Sequence, residues 1–143
     1  MLKNSSLVVS IYLSFFVSTP VFADPDTQQM TPAFQTCLDQ VDLGGMKNSQ
    51  WLRCYMDEFH RQDTVLNVEY KRLVLRTPKG SYKALLRAQR SWVKFRDDWC
   101  AFEEALPMAP SPLVNKTACL LDTTIEQIHK IRKEYPDFSR STP

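Results

Sequence analysis

Four cysteines, two histidines and a few adjacent carboxylates are the residues of this 143-residue chain with the chemistry to ligate a metal, attack a substrate or exchange protons. Cys37, Cys54, Cys100 and Cys119 are separated by 17, 46 and 19 residues. Zinc sites draw thiolates from short paired spacings such as C-x-x-C, and none occurs here. An even set of widely spaced cysteines instead suits disulfides, provided the chain reaches an oxidising compartment. His60 and His129 are the only candidate imidazole bases. His60 projects off the apolar face of its segment and His129 lies among charged residues, so both read as solvated histidines rather than as the base a nucleophile needs beside it. Asp97-Asp98 and Glu103-Glu104 are sequence neighbours, and neighbours on a helix diverge by about 100° instead of forming an acid/base pair. With no Gly-rich phosphate loop either, the residues predict no catalytic centre, no metal site and no cofactor.

The N-terminus says how the thiols would be oxidised. Lys3, an apolar stretch from Leu7 to Val17 and Val21-Phe22-Ala23 have the order of a positive region, a hydrophobic core and a small-residue cleavage site. They predict a signal peptide over 1–23 and a single domain over 24–143. An uncleaved anchor would need roughly 18 continuous apolar residues, and Ser10, Ser14, Ser18 and Pro20 interrupt this stretch. The expectation is a periplasmic or secreted protein with no transmembrane anchor after signal cleavage. Composition agrees with a folded domain: 43% hydrophobic, 24% charged, only three glycines. A formal charge of +2 is too small for a nucleic-acid binder, which concentrates basic residues.

The elements that must position these residues read as helices throughout. Thr31-Pro32 is an N-cap followed by a first-turn proline, and Gly44-Gly45 a stop, which predicts a short helix over about 32–43. Ser49 to Arg76 contains no Pro or Gly, and Leu52, Tyr55, Met56, Phe59, Leu66, Tyr70, Leu73 and Val74 recur at helical steps. Thr77-Pro78-Lys79-Gly80 breaks this long helix, and Ser81 is the expected cap of a third over about 82–105. That helix would bury Tyr82, Leu85, Leu86, Trp92, Val93 and Trp99. Leu106 to Pro112 holds three prolines and reads as a stiff loop, after which Asn115 is expected to cap a last helix to about Tyr135. The pattern predicts an all-α fold: a long antiparallel helical hairpin with a shorter helix at each end, stapled by two disulfides.

Folding the hairpin about residues 78–79 brings polar residues of its two apolar faces to equal heights. Asp63 meets Arg96, and Asn67 meets Gln89, so an Asp63–Arg96 ion pair with an Asn67/Gln89 layer is expected across the interface. Such a pair sets register rather than catalysis, because Arg does not exchange protons near neutral pH and lowers the pKa of the carboxylate it holds. Cys54 projects off the stripe that meets the third helix and is free to join Cys37. Cys100 can reach Cys119 across the proline-rich loop. Three pairings exist for four cysteines, and Cys37–Cys54 with Cys100–Cys119 is the one this geometry favours. On the outer side of the third helix Lys79, Lys83, Arg87, Arg90 and Lys94 form a basic ridge. Charge is polarised accordingly, with six basic and eight acidic residues in 24–76 against eleven and eight in 77–143.

The run Arg61-Gln62-Asp63-Thr64-Val65-Leu66-Asn67-Val68-Glu69-Tyr70, then Leu86-Arg87-Ala88-Gln89-Arg90-Ser91-Trp92, Phe95-Arg96-Asp97, Cys100, and finally Cys119-Leu120 with Thr124, resembles the LprI-type lysozyme-inhibitor domain over about residues 37–131. The resemblance implies an exported, helical, disulfide-bearing protein that binds another protein, a lysozyme or other peptidoglycan hydrolase, and is not an enzyme. On that reading the loop from Leu106 to Lys116 is the expected element entering the hydrolase cleft, with Ser111, Asn115 and Lys116 donating to its carboxylates. Lys83, Arg87, Arg90 and Lys94 of the ridge are the other expected partner-binding residues. The alternatives are an envelope binding or structural module and a toxin-immunity protein.

Overall fold

The computed structural model describes residues 30–42 and 48–135, so the expected leader and the Gly44-Gly45 stop lie outside the described residues. Thr31 and Pro32 open α1 (Pro32–Asp39): Thr31 sits in extended backbone, φ −68° and ψ 153°, and its hydroxyl accepts from the Phe34 amide. The helix ends four residues earlier than the expected 43. After Asp39 the backbone tightens, the Gln40 amide donating to Cys37 and Leu38 carbonyls and the Val41 amide to Leu38, which turns Val41 into the core.

α2 (Asn48–Arg76) runs unbroken for 29 residues, about 43 Å at the helical rise. Its buried residues are Cys54, Glu58, Gln62, Leu66, Glu69 and Leu73, a stripe at steps of four and three that is half polar. By projection this stripe lies roughly 90° from the apolar one read in the sequence. The reason is the partner: α2 packs chiefly on the last helix and only its flank faces α3. A 3₁₀ turn at Lys79–Ser81 leads directly into α3 (Tyr82–Glu104). Ser81 has helical backbone there and its side chain makes no capping bond, contrary to expectation.

α4 (Pro112–Glu134) starts at Ser111, not at Asn115. The Ser111 hydroxyl accepts from the Val114 amide at 3.3 Å and Pro112 occupies the first turn, the same cap-and-proline device as in α1. The three-proline stretch is therefore shortened from its C-terminal end, and α4 reaches 23 residues, the length of α3. Eight of its residues are buried, against two in α3. Contacts Met56–Thr117 and Glu69–Arg132 rise together along α2 and α4, which run parallel; Glu104–Lys116 and Arg96–Thr124 run oppositely, so α3 and α4 are antiparallel. α2 and α3 each meet α4 more broadly than they meet each other. The fold is all-α, with no strand among the described residues and both disulfides, Cys37–Cys54 and Cys100–Cys119, in the favoured pairing.

The core falls into two apolar clusters. One gathers Phe34, Val41, Cys54, Leu121 and Ile125; the other gathers Leu66, Leu73, Ile128 and Ile131. Removing the second bridge as Cys100→Ala with Cys119→Ala is expected to destabilise the domain by roughly 3 kcal/mol, the chain-entropy value for a loop of this size, read as a fall in the urea midpoint.

Candidate functional site

Between the two clusters lies a polar layer, and Arg96 is its centre. Although 8% exposed, this guanidinium donates from Nη1 to Asp63 Oδ1 at 3.3 Å and to Thr124 Oγ1 at 3.2 Å, and from Nε to Asp97 Oδ1 at 3.0 Å. Its carbon lies 5.4 Å from the Phe59 ring centre and 5.3 Å from that of Trp92, so two aromatic faces replace the water it gives up. The expected Asp63 contact is thus made, with Thr124 of α4 added to it. Asn67 does not cross to Gln89. Exposed to solvent, it turns back on its own helix, donating to the Asp63 carbonyl at 2.8 Å and to Asp63 Oδ2 at 3.2 Å.

Two further carboxylates inside the protein carry no signal in an amphipathic pattern, which scores them as surface. Glu58 is fully buried and accepts from the Thr31 amide and hydroxyl, Gln62 Nε2 and Arg61 Nε at 2.6–3.0 Å. Thr31 therefore caps α1 and ties it to α2 with the same side chain. Burial pushes the Glu58 pKa up, but the hydrogen bonds from the Thr31 hydroxyl, Gln62, the Thr31 amide and Arg61 outweigh it and hold the group below its ordinary value. Glu69, also buried, accepts from Arg72 of α2 and from both Nε and Nη2 of Arg132 of α4, at 3.0–3.1 Å. These are clamps between helices; the Glu69 clamp, with Arg72, Arg76, Arg132 and Tyr135, borders an open depression of ≈ 380 Å³ at the end of α2 and α4.

The surface departs further from expectation. Ser111 is consumed as the α4 cap, Asn115 Nδ2 donates to the Met108 carbonyl at 3.0 Å, and Lys116 Nζ pairs with Glu104 Oε2 at 2.6 Å. The three side chains expected to reach a partner's carboxylates are thus spent on holding their own loop. Asn48 Nδ2 adds a bond to the Pro110 carbonyl at 3.1 Å, pinning that loop to α2. On the ridge Lys83, Arg87 and Arg90 are exposed, while Lys94 pairs with Asp98 at 2.6 Å. His60 is exposed and His129 half-buried.

Trp99 departs furthest from the expected core. Expected in the core, it is 49% exposed, between Phe95 at 56% and Phe102 at 53%. The rings form a continuous stripe, with centroids 6.1 Å apart from Phe95 to Trp99 and 5.7 Å from Trp99 to Phe102. Cys100 supplies the signal that was available: tied to Cys119, it must face α4, and the helical step then turns Phe95, Trp99 and Phe102 outward. Beside the stripe, Trp99, Glu103, Met108, Asp122 and Glu126 surround a shallow depression of ≈ 390 Å³. Trp99 Nε1 donates to Glu103 Oε1 at 2.9 Å, fixing the indole. Among the described residues no group of three or more His, Cys, Asp or Glu is placed to hold a metal, and no helix is long and apolar enough to cross a membrane.

A family model described as "Lysozyme inhibitor LprI" matches residues 44–131. Comparison with curated proteins and with solved structures gave no match.

Two measurements check the polar layer. Arg96→Met is expected to cost about 3 kcal/mol, and a cycle with Asp63→Leu to depart from additivity by about 1 kcal/mol, since the Asp63 side chain is 38% exposed. The fold favours the Glu58 anion, so its contribution is full above the ordinary carboxylate range and lost as pH falls through the lowered native pKa. Glu58→Gln should therefore melt below the wild type at pH 7, with the gap narrowing toward pH 3 in paired thermal scans.

Proposed function

The chain belongs to the LprI family of lysozyme inhibitors, and on that premise we propose that it is exported, loses residues 1–23, and blocks a lysozyme or related peptidoglycan hydrolase outside the cytoplasm by protein–protein contact. The observation that carries the reading is the extent of the family match. Residues 44–131 include all of α2 and α3 and most of α4, the three helices joined by Arg96. Two disulfides suit an oxidising compartment and support export.

Inhibition needs no chemistry from the inhibitor. Glycosidases of this type work through two carboxyl groups flanking the bond to be cut, so a rigid body seated over that cleft excludes the polysaccharide. A helical domain held by two disulfides and a buried polar layer loses little freedom on binding, which favours such a role. The formal charge of +2 gives no overall attraction toward a cationic lysozyme, so the contact must depend on local shape and charge. The ridge of Lys83, Arg87 and Arg90 would repel such a partner and faces away from it in this reading. Purified protein, titrated into a lysozyme reaction on suspended cell walls, is expected to slow the fall in turbidity near equimolar ratio. Unchanged clearing at large molar excess would overturn the proposal.

A further inference from the structure

α3 carries two faces that water solvates very differently. By projection the ridge of Lys83, Arg87, Arg90 and Lys94 lies roughly 125° around the helix from the stripe of Phe95, Trp99 and Phe102. Isolated exposed apolar residues are ordinary, but three contiguous aromatic rings, each about half exposed, are not. Aromatic residues in such clusters supply most of the energy of protein interfaces. The stripe is held in place from both sides: on the opposite, buried face of α3 Cys100 is bonded to Cys119, and at the surface Glu103 holds the Trp99 indole. Its immediate border is acidic: Glu103, Asp122 and Glu126 share one depression with Trp99, and the neighbouring ion pairs, Lys94–Asp98 and Lys116–Glu104, involve other carboxylates.

We propose that the Phe95–Trp99–Phe102 stripe with the Glu103, Asp122 and Glu126 depression is the surface on which a cationic lysozyme docks, a proposal that rests on the inhibitor reading above. The occupant is chosen by charge. An Arg or Lys of the partner laid against the Trp99 face would gain a cation–π contact while its head reaches the three carboxylates. An anionic glycan or membrane would be repelled at the same place. The depression is already short of positive charge: the Asp122 carboxyl is held above its ordinary pKa by burial first, then by the charges of Glu126 and Glu103, and the Tyr55 hydroxyl of α2 is pushed up by burial first and then by Asp122. A raised acid pKa means that the charged form costs the fold something at neutral pH. In this proposal neutralising Asp122 weakens the complex while relieving its repulsion with Glu126 and Glu103 in the isolated protein. A purely structural role for Asp122 gives no loss of binding.

The test is a titration of the purified protein against a cationic lysozyme, followed by calorimetry and by turbidity inhibition, with sedimentation of the protein alone. Trp99→Ser is expected to weaken binding roughly tenfold or more. Asp122→Asn with Glu126→Gln is expected to weaken it as well, to flatten its salt dependence, and to raise the melting temperature at pH 7. Lys83→Glu with Arg87→Glu should leave affinity unchanged or tighten it, and lysine-acetylated lysozyme should bind weakly. If wild-type protein inhibits while the stripe and acid variants bind within about twofold of it, the docking surface is overturned and the inhibitor reading stands. If wild-type protein neither binds nor inhibits, the inhibitor reading itself falls and the docking surface with it. A stable dimer in sedimentation that Trp99→Ser dissolves would assign the stripe to a second copy of the chain and also overturn the proposal.

Discussion

A guanidinium taken out of water at the junction of three helices is the constraint on which the rest of the structure depends. Arg96 is charged at any pH the protein meets, so its burial is tolerable only where its donors are matched and its faces covered. Asp63 of α2 and Thr124 of α4 meet Nη1, Asp97 meets Nε, and Phe59 and Trp92 close the two faces. Each partner sits on a definite turn of its helix. Sliding α2 or α4 by one turn would leave the charge unmatched, so a single side chain sets the register of the domain even where its net contribution to stability is small.

The other polar contacts extend that logic to the ends. Glu58 fastens α1 to α2 through Thr31, and Glu69 fastens α2 to α4 through Arg132. Cys37–Cys54 works beside the first of these clamps, at the α1 junction, and Cys100–Cys119 ties α3 to α4. The apolar clusters on either side of the Arg96 layer supply non-directional attraction. Specific alignment comes from the polar and covalent contacts between them. α4, inserted against both long helices, is the element all of them share except the Glu58 clamp and the first disulfide.

Such internal ties free the surface of α3 for other purposes. With its inner side held by Arg96 and Cys100, the helix presents a basic ridge on one exposed side and aromatic rings with an acidic border on another. A small formal charge conceals this separation. With charge separated in this way, orientation rather than overall attraction governs an encounter with any charged partner.

Helix identity was legible in the sequence because it depends on local chemistry. Thr31-Pro32 caps α1, Pro78 ends the reach of α2, and apolar residues at steps of three and four mark the long helices. Disulfide pairing was legible for the same reason, since each bridge closes a short local loop. Asp63 and Arg96 could be matched by counting outward from the turn. Ser111-Pro112 carries the same cap-and-proline signal as Thr31-Pro32, and it, not Asn115, caps α4. What local pattern does not contain is which helix covers which face. α4 packs against both arms of the α2–α3 hairpin, so the buried stripe of α2 turns onto Glu58, Gln62 and Glu69, Asn67 and Gln89 stay apart, and Trp99 is left in water. A periodicity of 3.6 residues specifies a face but not its partner. That choice is made by contacts between residues far apart in the chain, here Arg96 with Thr124 and Glu69 with Arg132, and only the tertiary structure displays it.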